Sequence, residues 1–72
     1  MELPDWVKPG IAFELNYGAG NPNNALWHVR AIVDGMAVCR RWFKHRQRWH
    51  YEMKGYYFFE AAASNIGRRT RV

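Results

Sequence analysis

Asp34-Gly35 stands between two strand-length runs rich in apolar residues, Leu26 to Val33 and Met36 to Phe43. Asp-Gly is a strong short-range hairpin signal, because both positions of a type I′ turn need a left-handed backbone. It commits the middle of the chain to an antiparallel strand pair. A two-residue turn also sets an expected register, in which Val33 faces Met36, Ala31 faces Val38, Val29 faces Arg40 and Trp27 faces Trp42. Seven of those eight residues are apolar, so they form the expected core face. The opposite face pairs Ile32 with Ala37, Arg30 with Cys39, His28 with Arg41 and Leu26 with Phe43. It is half polar and is expected to meet solvent or a ligand.

The period of two extends on both sides of this hairpin. Ile11, Phe13, Leu15 and Tyr17 alternate with Ala12, Glu14 and Asn16, which reads as a half-buried first strand. Lys8-Pro9-Gly10 before it has the order of a type II turn. GAGNPNN, Gly18 to Asn24, is built of turn formers and reads as a loop. The third strand must turn into a fourth near Lys44 to Gln47. A two-residue or a four-residue loop pairs Trp42 with Trp49 and Arg40 with Tyr51, and the four-residue one is favoured because no Gly or Asn marks the turn. That choice places Trp49, Tyr51 and Met53 on the core face, because facing Arg48, His50 and Glu52 inward would bury charge. Arg40 is the misfit on that face, expected near an open end with its guanidinium stacked on an indole. Tyr56 to Phe59 can continue the sheet, Phe59 to Asn65 reads as a short helical turn, and RRTRV is either a closing strand or a basic tail.

A chain of 72 residues is one domain. It buries only about 60% of its unfolded surface, so its core is marginal. One cysteine, Cys39, excludes an internal disulfide, and there is no Cys/His spacing for structural zinc. Four Trp, four Tyr and four Phe remain to build the interior, and a homodimer is a further way to bury them. The lone cysteine fits a reducing cytoplasm. The opening MELPDWVKPG lacks the pattern of a signal peptide, and no apolar run approaches the ~20 residues of a membrane span. The expected reading is a cytoplasmic protein without cofactor, metal or membrane partner.

The expected fold is therefore mainly β, a small antiparallel barrel of four to five strands with one short helical turn near the C-terminus. The "WVKPG" opening, the long loop after the first strand, the tight "DG" hairpin and the late helical turn together resemble SH3-like barrels of the Tudor or KOW kind. That likeness covers most of the chain and is architectural. In such barrels the long loop lines a binding groove together with aromatics on the sheet. The resemblance thus implies a role for Asn16 to Asn24, with Tyr17. The stretch "WHVRAIVDGMAVCRRW" also resembles short uncharacterised proteins encoded by phages and prophages, which implies origin more than activity.

The net charge is +5, and eight of the eleven basic residues form two clusters. One is Arg40, Arg41, Lys44, Arg46 and Arg48; the other is Arg68, Arg69 and Arg71. Basic clusters attract polyanions or acidic protein surfaces. The expected outward face carries the rows His28, Arg41, His50 and Arg30, Cys39, Glu52, continued by Phe43 and the loop Lys44-His45-Arg46. Arg side chains there would hold phosphates while Phe43 stacks a base. The nucleic-acid candidates are thus Arg30, Arg41, Phe43, Lys44, Arg46, Arg48, His28 and His50; the plain alternative is a wet sheet face. A second reading is a protein-interaction module, an inhibitor or adaptor encoded by a phage and docking on a host protein complex. Its anchors would be Tyr17, Tyr56, Tyr57 and Phe58. No catalytic motif accompanies Cys39 or the His50/Glu52 pair. His28 and His50, two strands apart, have backbones ~9–10 Å from each other at ~4.8 Å per strand, with Arg41 between. They are not expected to bind a metal.

Overall fold

A computed structural model describes residues 2–72. Five strands make one antiparallel sheet: β1 (Ile11–Leu15), β2 (Ala25–Val33), β3 (Met36–Phe43), β4 (Arg48–Lys54) and β5 (Ile66–Arg71). A helix, α1 (Tyr56–Ala61), and a 3-10 turn (Ala63–Asn65) join β4 to β5. The order across the sheet is β4-β3-β2-β1-β5. β4 and β5 are thus its two edges, and the sheet is not closed into a barrel. No helix among the described residues is long and apolar enough to cross a membrane.

The turns follow their residues. Lys8 C=O accepts from Ile11 N–H with Gly10 at φ +93°, as a type II turn requires. Asp34 and Gly35 have φ of +52° and +75°, and Val33 pairs with Met36 across them. The β3–β4 loop is the four-residue one, with Phe43 opposite Arg48 and Gln47 at φ +54°. RRTRV becomes a closing strand, paired with β1. Tyr56 to Phe59 is helix, not sheet. Gly55 breaks β4, and α1 then turns Phe59 into the core with Ala62 following.

The register departs from the expected one at a single residue. Pairs Val33–Met36, Ile32–Ala37 and Ala31–Val38 are as expected, but the next are Val29–Cys39 and His28–Arg40. Arg30 is the extra residue of a β-bulge. One added residue moves every later partner to the other face. In the unbroken register Arg40 would share the face of Trp27 and Val29, and burying a guanidinium there is costly. The bulge instead brings Ala37 and Cys39 inward, both wholly buried.

The inversion carries through β4. Trp42 does pair with Trp49 and Arg40 with Tyr51, yet these residues are not core. Trp42, Tyr51 and Met53 are all more than 45% exposed. The inward side of β4 carries His50, Glu52 and Lys54 instead. Glu52 links them, lying 2.9 Å from both His50 Nε2 and Lys54 Nζ, and its carboxylate answers the Lys54 ammonium.

One face of the sheet is therefore covered and the other open. The covered face holds Phe13, Leu15, Trp27, Val29, Ala37 and Cys39 under Val7, Phe59 and Ala62. Trp6, Phe13 and Phe59 meet edge to face with centroids 5.5–5.7 Å apart, the favoured geometry of aromatic clusters.

Candidate functional site

The open face is an aromatic platform with a cation set into it. Leu26 and His28 from β2, Val38, Arg40 and Trp42 from β3, and Trp49, Tyr51 and Met53 from β4 share it by strand alternation. Trp42 and Trp49 meet edge to face at 5.3 Å, and His28 meets Trp49 at 5.5 Å. The Arg40 guanidinium lies 3.8 Å above the Trp49 ring and donates to the Tyr51 hydroxyl at 3.2 Å. Its stacking on an indole is as the sequence suggests, but on the open side. Its Nε is enclosed and has no acceptor. Burial, then Arg40 and Arg30, hold the His28 imidazole below its ordinary pKa. The neutral form of His28 is thereby favoured over the imidazolium. Beside the platform, the hairpin tip exposes Lys44, His45 and Arg46.

The expected outward rows do not form. His28 is on the open face, whereas Arg41 and His50 are paired on the covered side. Phe43 is also on that side, stacked on His50 at 4.7 Å and 5°. The Arg41 guanidinium sits 4.9 Å from the Phe43 ring centroid. Cys39 does pair with Glu52, but it is inside, and Arg30 is the exposed bulge residue. Lys44 and Arg46 lie in the exposed tip, and Arg48, opposite Phe43, is exposed on the covered side of the sheet. Trp42, Trp49, Tyr51 and Arg40 are the platform residues that pattern reading assigned to the core. The signal that could have found them was Arg40 itself, the one charge on an otherwise apolar face.

Among the interaction candidates, Tyr57 is 70% exposed and Tyr17 40%. Tyr56 is half-buried and hydrogen-bonded to Glu60. Phe58 packs against the core and is not a free anchor. Tyr17 belongs to a loop held by its own asparagines. Asn24 Oδ1 accepts from Tyr17 N–H, Asn24 Nδ2 donates to Gly18 C=O, and Asn16 Oδ1 accepts from Gly18 N–H.

Burial is the main reason the Cys39 thiol is pushed up to about 11; Lys54 opposes this and Glu52 adds to it. The thiolate is the reactive form, so a neutral, enclosed thiol is inert at pH 8. Cys39 is expected to react with a disulfide reagent only after denaturant is added. Thiol release followed by absorbance checks this; rapid labelling of the folded protein would contradict the enclosed position. No group of three or more His, Cys, Asp or Glu among the described residues has the spacing to hold a metal ion.

No protein-family pattern matches this chain, and no curated protein or solved structure shows significant similarity to it.

Proposed function

We propose that this protein is a non-catalytic binding module for single-stranded nucleic acid. Bases stack on Trp42, Trp49 and Tyr51, while Arg40 and the tip residues Lys44 and Arg46 hold phosphates. The observation that carries the reading is the exposure of Trp42, 46%, beside an Arg40 guanidinium stacked on Trp49. Exposed aromatics interleaved with cations are how single strands are held without sequence readout. Duplex DNA offers no unstacked base to such a platform. The SH3-like and phage-encoded likenesses rest on sequence spacing alone, and this reading does not depend on them.

The test is fluorescence anisotropy of labelled single-stranded DNA, RNA and duplex DNA at two salt concentrations. Three phosphate contacts on a single strand give a log–log salt slope of about −2, roughly a twentyfold loss between 50 and 200 mM salt. Single strands are expected to bind more tightly than duplex. Affinity that is flat with salt, or no binding at low salt, overturns the reading. One observation favours the protein-interaction alternative. Tyr57 stands exposed beside Met36 and Tyr56 around an open apolar cleft, the kind of aromatic anchor that dominates protein interfaces.

A further inference from the structure

A second site lies on the covered face, where the asparagine-held loop meets the ends of β2, β3 and β4. It is a cleft of about 170 Å³ with Tyr17, Trp27, Arg41, Glu52, Lys54 and Phe58 in its walls. Lys54 is the one buried charged side chain among the described residues, only 7% exposed. Its ammonium lies 4.0 Å from the Trp27 ring centroid and 4.1 Å from that of Phe58. Its one salt-bridge partner is Glu52. The Arg41 guanidinium approaches the same indole, at 5.8 Å. Two cations therefore converge on Trp27, and a single carboxylate answers them.

The hydrogen-bonding balance of this cleft is one-sided. Glu52 is engaged at both oxygens, by His50 and by Lys54. Both salt bridges among the described residues belong to Glu52, and neither includes Arg41. Trp27 is 3% exposed and its Nε1–H has no acceptor, an unusual state for a buried donor. Lys54 has three N–H groups, and aromatic faces accept only weakly from them. Asn23 and Tyr17 add neutral polar groups to the lining, but among its charged side chains the cations Arg41 and Lys54 outnumber the single carboxylate of Glu52, and their net charge is positive. What is missing is an acceptor carrying negative charge.

We propose that this cleft is a binding site for a compact oxyanion, a phosphate or carboxylate group, held between Arg41 and Lys54 over the Trp27 indole. Its size supports this choice. Sites for whole drug-sized ligands measure roughly 300–1,000 Å³, so this cleft admits one functional group and not a ring system. It lies on the opposite face from the Trp42 platform, so either site can fail without the other.

The experiment uses the full chain labelled with ¹⁵N and follows its four indole N–H signals by NMR. Inorganic phosphate and, in a separate arm, acetate are titrated at constant ionic strength set with chloride. The expected result is a saturable shift led by the Trp27 indole. Saturation by phosphate alone assigns the site to phosphate-bearing ligands; saturation by acetate as well extends it to carboxylates. Arg41→Gln is expected to weaken binding roughly tenfold or more, as loss of a charge-assisted hydrogen bond would. Arg41 is only half-buried, which makes it a gentler change than removing Lys54. Lys8→Gln removes the same charge at an exposed position far along the chain and serves as the control. No saturable shift at Trp27, or equal weakening by Arg41→Gln and Lys8→Gln, would overturn the site.

Discussion

Trp42→Ala is expected to weaken binding of a labelled single strand by about five- to 150-fold, the range that corresponds to ~1–3 kcal/mol for one lost base stack. The fold should survive the change. Trp42 is nearly half exposed and packs edge to face on Trp49 alone among the described rings, so its removal opens no cavity in the core. Trp42→Phe should restore most of the affinity, because a phenyl ring still offers a stacking face. Anisotropy titrations at equal salt, with circular dichroism to confirm equal folding, provide the measurement. Phe43→Ala is the informative comparison, since Phe43 is one residue away and on the other face. A loss from Phe43→Ala larger than that from Trp42→Ala would put the strand on the covered side and overturn the platform.

Phe13→Ala is expected to destabilise the fold severely, by about 3–5 kcal/mol. Phe13 is wholly buried and meets Trp6, Phe58 and Phe59 at centroid distances of 5.5, 6.4 and 5.6 Å. Removing a core Phe costs about 3–5 kcal/mol. A domain of this length has roughly 4–11 kcal/mol in total at typical stability per residue. The substitution therefore consumes a third of the stability or all of it. Urea denaturation followed by tryptophan fluorescence would show a midpoint shifted far down, or no cooperative transition. A midpoint close to that of the parent would mean that the Trp6–Phe13–Phe59 cluster does not hold the fold.

Much of the architecture was legible because local signals agreed with it. Pro9-Gly10, Asp34-Gly35 and the polar stretch Gly18–Asn24 punctuate the chain where the turns fall, and alternation places Phe13, Leu15, Trp27 and Val29 inside. The candidate site was not legible, and the cause is one residue. Alternation propagates a parity along a ladder, and the bulge at Arg30 reverses it between β2 and β3. All of β3 and β4 then turned out inverted. Hydrophobicity pointed the wrong way, because the open face of β4 carries Trp49, Tyr51 and Met53 while its covered face carries Arg48, His50, Glu52 and Lys54. Charge pointed both ways: Arg40 argued for one parity, His50, Glu52 and Lys54 for the other. The structure resolves that conflict with the His50–Glu52–Lys54 chain, which needs side-chain geometry and not pattern. The helix at Tyr56 was missed for a simpler reason. Tyr-Tyr-Phe-Phe has strand propensity, and only the packing of Phe59 and Ala62 on the sheet selects the helix.

The loop from Asn16 to Asn24 has a thermodynamic role in any ligand that reaches Tyr17. Its amide groups are tied down by its own side chains before anything binds. Ordering a loose segment on association subtracts from affinity, and a loop already tied at these amide groups leaves less of itself to order.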